Sequence, residues 1–221
     1  KSSDTLAVKI AGGPNMPVYL DVVKNGDELL NVNMLHCYRF GMQISMSIDD
    51  RMQYVVAFEP RVVLDYPLYR GMLYIDQKTL SITRAEFQLD MSDEEKSSRF
   101  ILRKKPLGLR FKLQEVSYLV TYRYQDGKSY LNYLRNNIRF KCDWKKRLFS
   151  STFTTSTEMV MVDRNDRPEE RIRMKDAFKQ REVFYDVVDV YWNEDFWKDY
   201  NIIEPTESLE SAVKRLKKQK K

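Results

Sequence analysis

The sequence predicts a mainly β fold of the α+β kind: a curved antiparallel sheet, an unclosed half-barrel, with helices near the N- and C-termini. Two observations carry this reading. Residues 112–163 hold three successive alternating segments of roughly a dozen residues each, longer than the usual five or six. Long antiparallel strands twist and coil, so a curved sheet is expected rather than a flat sandwich. The second observation is continuity. No internal repeat and no linker divides the 221 residues, and 43% hydrophobic content is enough for a core. One domain over 1–221 is therefore expected.

The elements follow in order. Thr5 to Ile10 alternate weakly, and Ala11-Gly12-Gly13-Pro14-Asn15 is a turn. Val18, Leu20, Val22, Val23, Leu29 and Leu30 suggest one or two short helices broken near Asn25-Gly26, with Asp27 as a cap. Strands begin at residue 37. Tyr38, Phe40, Met42 and Ile44 alternate, Asp49-Asp50 turns, and Met52, Tyr54, Val56 and Phe58 alternate again. Tyr66 to Ile75, a turn at Asp76-Gln77-Lys78, and Leu80 to Met91 form the next hairpin. In its second strand Ala85, Phe87, Leu89 and Met91 oppose Arg84, Glu86, Gln88 and Asp90, which predicts one wet face. Ser92 to Ser98 reads as a solvated loop. Arg103-Lys104-Lys105-Pro106 reads as an edge or connection.

The long meander comes next. Val116, Tyr118, Val120, Tyr122 and Tyr124 share one face, and Asp126-Gly127 is a tight hairpin signal. Tyr130 to Trp144 returns, Lys145-Lys146-Arg147 turns, and Leu148 to Val162 goes back out. Residues 163–175 are charged and read as a mobile loop. Val183 to Trp192 reads as a last strand, and Phe196-Trp197 as a short helical turn. Pro205-Thr206-Glu207 opens a final helix with Leu209, Val213 and Leu216 on one face.

Net charge is +6, which invites a nucleic-acid reading. The excess is local. Lys214, Arg215, Lys217, Lys218, Lys220 and Lys221 are cations with no acid among them. Removing these six from 38 basic residues leaves 32 against 32 acidic ones. A balanced body speaks against nucleic acid. The tail is either a solvated helix end, whose cations suit the helix dipole, or a weak contact with an anionic membrane surface. No run of about 18 apolar residues spans a membrane. Lys1 is not a methionine, so the sequence reads as a processed or excised fragment.

Common catalytic sets are missing. His36 is the one histidine, and Cys37 and Cys142 are the two cysteines. A zinc site would need carboxylates, and a Ser-His-Asp site would need His36. No phosphate-binding glycine loop is present. Cys37 beside His36 would face the opposite way on a strand. The carboxylate groups Asp49-Asp50 and Asp93-Glu94-Glu95 fall in loops, and Asp186 and Asp189 are at an odd offset. Glu194 and Asp195 complete the set. No enzyme activity, metal or cofactor is expected. Cys142 lies in the inward row Ile138, Phe140, Cys142, Trp144, so the thiols read as buried and free, with a bridge left open for an oxidising compartment.

Aromatic and methionine residues are abundant, with 14 Tyr, 11 Phe and 10 Met. Tyr118, Val120 and Tyr122, Ile138 and Phe140, and Met159 and Met161, or Val160 and Val162, form rows on the meander. They are either a plain core or a concave face lining an apolar groove, partly covered by the terminal helices.

Two stretches carry a resemblance. Tyr69-Arg70-Gly71-Met72-Leu73-Tyr74-Ile75-Asp76 with Leu80-Ser81-Ile82-Thr83-Arg84-Ala85-Glu86, and Phe196-Trp197-Lys198-Asp199-Tyr200-Asn201-Ile202-Ile203-Glu204-Pro205, occur with a Gly12-Gly13-Pro14 opening. Together they resemble the C-terminal region of Gram-negative envelope proteins that begin with a carboxypeptidase-like regulatory domain. That upstream domain is not in this sequence. The Gly71-x-Leu73-x-Ile75-Asp76 element is similar to LolA/LolB-like lipoprotein-sorting domains, unclosed half-barrels that hold acyl chains. The resemblance covers roughly 4–210 and implies a periplasmic or outer-membrane setting. The expectation is a non-enzymatic envelope protein that binds a lipid or other apolar ligand on the concave face. The competing expectation is a structural or protein-interaction module with a filled core, no ligand, and an exposed apolar patch.

Overall fold

The computed structural model describes residues 8–24, 31–144, 150–161, 173–179, 182–184 and 186–187. The chain divides into two compact units, Lys1–Phe184 and Tyr185–Lys221. The second contributes only Asp186 and Val187 to the described residues.

The first unit is an antiparallel meander. In chain order come β1 (Lys9–Ile10), α1 (Met16–Leu20), a 3-10 turn (Val32–Cys37), β2 (Tyr38–Ile48), β3 (Arg51–Pro60), β4 (Tyr69–Asp76) and β5 (Ile82–Leu89). They are followed by α2 (Glu94–Ile101), β6 (Leu102–Lys104), β7 (Leu109–Gln125), β8 (Lys128–Trp144) and β9 (Ser151–Val160). Seven strands form one sheet in the order β2-β3-β4-β5-β7-β8-β9, and β1 pairs with β6 in a second, two-stranded sheet. Among the described residues β2 and β9 end the large sheet without meeting, so the sheet is unclosed. The mainly β, unclosed antiparallel expectation holds.

Hairpin chemistry sets the registers. Asp49 and Asp50 both take positive φ, 49° and 58°, as do Asp126 and Gly127 at 51° and 77°. Two-residue turns of this kind match the twist of the flanking strands. The second turn joins two strands of 17 residues each. Their register runs from Leu109 opposite Trp144 to Gln125 opposite Lys128.

Period-two alternation gives the sheet two unlike faces. On one face Leu73, Ala85, Phe87, Leu113, Val116, Tyr118, Val120, Leu134, Ile138 and Phe140 form the core. Ala85, Val116, Val120 and Leu134 have 0% exposure. Each large aliphatic buried this way contributes about 1.5–3 kcal/mol. Ile101 of α2, Leu20 of α1, Val22 just after it, and Cys37 of the 3-10 turn join the same cluster. The opposite face carries Arg70, Glu86, Gln88, Ser117, Arg135 and Asn137, all at least partly exposed.

Several expectations are corrected. The stretch expected to be a solvated loop over 92–98 instead leads into α2. Asp93 caps it by accepting from the Lys96 amide at 2.9 Å, and Glu94 and Glu95 sit where the helix dipole favours acids. Ser97 donates to the Asp90 carbonyl at 2.7 Å, and the Leu113 amide donates to Ser98 at 3.2 Å. Short polar residues therefore anchor this helix. The strand expected from Tyr66 starts at Tyr69. Phe184, Asp186 and Val187 have helical backbone, so the last strand expected over 183–192 does not begin there. The edge or connection expected around 103–106 is β6, paired with β1. The helix expected near the N-terminus is present only as the five residues of α1. Residues 25–30, most of 163–175, and the turn and helix expected over 196–216 lie outside the described residues.

Gly71 has no room for a side chain. A Cβ there would overlap the Glu86 carbonyl and lie 2.6 Å from the Phe87 Cα. Both are backbone atoms of a paired strand, so Gly71→Ala is expected to lower unfolding stability by about 3 kcal/mol in urea denaturation, shifting the midpoint and not the slope.

Asp76 ties the β4–β5 turn. It is 1% exposed and accepts from the Lys78 amide at 3.0 Å, the Thr79 amide at 2.8 Å and the Thr79 hydroxyl at 3.0 Å. Arg51 pairs with it at 2.7 Å. Burial opposes the charge, but the Thr79, Lys78 and Arg51 donors hold the carboxyl below its ordinary value. A lowered folded-state pKa contributes stability above the unfolded value, near 4, that is lost as pH falls through the folded one. Asp76→Asn is expected to cost about 1–3 kcal/mol at neutral pH and to flatten the stability loss below about pH 4. Urea titrations across pH check both.

Candidate functional site

The residues expected to line an apolar groove are brought together by the fold, but as packed core. Tyr118, Val120, Tyr122, Ile138 and Phe140 are all buried, at 8%, 0%, 8%, 2% and 1% exposure. Tyr118 stacks on Phe87 with ring centroids 5.1 Å apart. Phe140 sits between Phe111 at 5.1 Å and Phe153 at 5.7 Å. Met159, opposite Leu134, packs at the margin. Met161 lies just past β9 and is exposed. Burial pushes the Tyr118 phenol up. Burial and then the Asp21 carboxylate do the same to Tyr122. Asp21 is held by the Val23 and Lys24 amides, both at 3.1 Å. The Tyr118 and Tyr122 phenols stay neutral at ordinary pH and serve packing.

The apolar face runs out at one end. Phe40 pairs with Phe58 and Met42 with Val56, so β2 continues the core side. Yet Met42 is 63% and Ile44 93% exposed, and Phe40, Met52 and Tyr54 are also exposed. These five residues make an apolar strip on β2 and β3.

The open space lies on the other face. A trough of about 710 Å³, wide open to solvent, crosses β2, β3, β4, β5, β7 and β8. Two ladders of side chains line it. The first runs Arg39, Glu59, Arg70, Gln88, Ser117, Asn137, following the registers Arg39–Glu59, Arg70–Gln88, Gln88–Ser117 and Ser117–Asn137. The second runs Gly41, Ala57, Met72, Glu86, Leu119, Arg135. Gly71 also borders the trough, as do Phe58, Phe87 and Tyr118, whose side chains turn to the core.

The trough's charges are largely paired within the protein. Arg39 meets Glu59 at 3.2 Å and Arg70 meets Asp90 at 2.5 Å. Arg84 pairs with Glu86, which also accepts from the Tyr74 hydroxyl at 3.3 Å. Burial and then the Glu86 charge raise the Tyr74 phenol. Asp90 is held below the ordinary carboxyl value: burial opposes its charge, but Ser92 and Arg70 donate to it. Arg135 makes no ion pair among the described residues. Glu158, its register partner, lies against the Tyr133 hydroxyl.

Sequence reasoning found the wet face of β5 but not the trough, because a trough arises only when six strands align their polar positions. Cross-strand register was the missing information.

The Cys37–His36 expectation needs correction. The pair ends a 3-10 turn rather than lying on a strand, and Cys37 Sγ touches His36 Nε2 at 3.4 Å. Cys37 is 2% exposed, and His36 has no other hydrogen bond among the described residues to orient it. Asp49-Asp50 forms a turn and Asp93 a helix cap, so those carboxylates are structural. Among the described residues no group of three or more His, Cys, Asp or Glu could hold a metal, and no helix is long and apolar enough to cross a membrane.

Comparison with protein-family models, with curated proteins and with solved structures returned no match.

Both cysteines are free and buried, and burial pushes the Cys142 thiol up. A chromogenic disulfide reagent is expected to label neither thiol in the folded chain within minutes and both in denaturant.

Proposed function

We propose that this chain is a non-enzymatic cell-envelope module that acts by presenting surfaces to a protein partner, with no acyl chain enclosed in its sheet. The observation that supports this is the division of its apolar residues. Leu73, Ala85, Phe87, Leu113, Val116, Val120, Leu134, Ile138 and Phe140 of β4, β5, β7 and β8 are buried against one another and against α2, α1 and the 3-10 turn. Those on the outer strands, from Phe40 to Ile44 and at Met52 and Tyr54, stay in water. An acyl-binding face would need open space beside Val120, Leu134 and Phe140, whose exposures are 0%, 0% and 1%. A contiguous exposed apolar strip is the ordinary mark of a protein contact. The envelope setting rests on the resemblance of the Gly71 and Phe196 stretches.

Ligand-binding and cross-linking measurements test the reading. Native mass spectrometry after gentle purification is expected to show the bare chain mass, with no binding of a fluorescent fatty acid. In cells, a photo-reactive residue at Ile44 is expected to give a discrete protein adduct that one at Arg139, exposed on the opposite face, does not give. Met42→Glu should abolish that adduct without changing thermal stability. A stoichiometric co-purifying lipid displaced by fatty acid would sink the proposal and restore the acyl-binding alternative.

A further inference from the structure

We propose that the trough on the open face is a binding site for a linear oligosaccharide. It lies on the opposite side of the sheet from the apolar strip, and it stands or falls independently of the protein-contact reading.

The trough crosses six strands, and at a spacing of roughly 4.8 Å they span about 24 Å. This is a long, shallow channel open along its length, suited to an extended chain rather than a compact ligand.

Its lining has two parallel characters. Every position of the first ladder, Arg39, Glu59, Arg70, Gln88, Ser117 and Asn137, offers a hydrogen-bonding group, most of them planar amides, guanidiniums or carboxylates with several donors or acceptors each. The second ladder offers Ala57, Met72 and Leu119 between Gly41, Glu86 and Arg135. A pyranose ring has the same division: an edge of hydroxyls that both donate and accept, and a face of C–H groups. A chain of such rings lying across the strands meets the polar ladder with one and Ala57, Met72 and Leu119 of the second ladder with the other. Small side chains at Gly41, Ala57 and Ser117 lower the floor where the rings would rest.

Charge narrows the ligand class. The Arg39–Glu59, Arg70–Asp90 and Arg84–Glu86 pairs are neutral internally, so the channel is not built for a polyanion such as nucleic acid. Planar side chains already held by a partner are pre-oriented, and that reduces the ordering cost of binding. Arg135 is the exception, a cation without an ion pair among the described residues, beside Asn137 at one end of the channel. It would favour a chain carrying an acidic sugar at that end. A peptide suits the channel poorly, since the lining has no deep apolar pocket for anchoring side chains, and the one sheet edge it reaches, β2, lies at its end rather than along its length.

Isothermal titration of the full chain with cellohexaose, maltohexaose, chitohexaose and hexagalacturonate tests this, with a mixed-sequence peptide of similar length as the control. At least one hexasaccharide is expected to bind, its monosaccharide far more weakly. Gln88→Ala and Asn137→Ala are each expected to weaken binding about tenfold, the loss of roughly one well-made hydrogen bond. Arg135→Ala should weaken hexagalacturonate more than the neutral sugars. Thr152→Ala, on the same face but outside the trough, should change nothing. All four substitutions are at solvent-accessible positions, and thermal melts confirm folding. The proposal is overturned if no hexasaccharide binds at millimolar concentration, if the Gln88 and Asn137 variants bind as well as the parent, or if the peptide binds as tightly as any sugar.

Discussion

The structure depends on the pairing of β7 with β8. These two 17-residue strands are closed by the Asp126-Gly127 turn, whose positive φ values match strand twist. Along the pair Leu113 faces Phe140, Val116 faces Ile138 and Val120 faces Leu134, and every one of these residues is nearly or fully buried. Directly opposed apolar pairs are the unit of sheet stabilisation, and here they form the spine of the core. β5 and β9 add on either side, and α2 lies over one end through its contact with β7. A register slip of one residue would send this spine to the solvent face, so the two-residue turn and the buried pairs enforce each other.

Two irregularities on that hairpin shape everything else. The register shifts between Leu113 and Glu115, and again between Thr121 and Tyr122. The first leaves an extra residue on β7, at Gln114. The second leaves one on β8, at Asn132, whose amide reaches Thr121 at 3.5 Å and whose carbonyl accepts from Met161 at 2.9 Å. Bulges increase local twist and bend the strand. With one on each partner, the long hairpin curves while the inward residues on either side of each bulge stay on the core face. A third shift, between Gln43 and Met46 on β2, turns the free edge. Curvature built this way lets polar positions from six strands converge on one trough while the apolar side stays closed.

Much of this was legible in the sequence, for local reasons. The strands with strict alternation, from Tyr38 through Phe153, were readable because one face of each is apolar. Both hairpin turns were readable because Asp-Asp and Asp-Gly have few alternatives. The helix α2 was not, because its anchors are Asp93, Ser97 and Ser98, residues whose role appears only when Asp90 and Leu113 are placed beside them. The choice between groove and core for Tyr118, Val120, Tyr122, Ile138 and Phe140 was also beyond the sequence. Alternation says which residues share a face; it does not say whether another segment covers that face. Here the cover is α2, α1 and the 3-10 turn, short elements with little periodicity of their own. The trough was hidden for a related reason. Arg70, Gln88, Ser117 and Asn137 look like unrelated surface residues until register puts them in one row.

The charge distribution then has a definite meaning. The body carries equal numbers of basic and acidic residues outside positions 214–221, and on the open face most charges pair with one another, within β5 or between neighbouring segments. Exposed pairs of this sort add little stability, about 0–1 kcal/mol each. Their larger effect is on the field: paired charges cancel at a distance, so this face exerts little long-range pull on an approaching ligand. What it offers is short-range, in the form of oriented donors and acceptors beside the apolar side chains of Ala57, Met72 and Leu119. Such a surface discriminates by the geometry of hydrogen bonds made on contact rather than by attraction beforehand. Arg135 breaks the cancellation at one end, and that asymmetry gives the trough a direction.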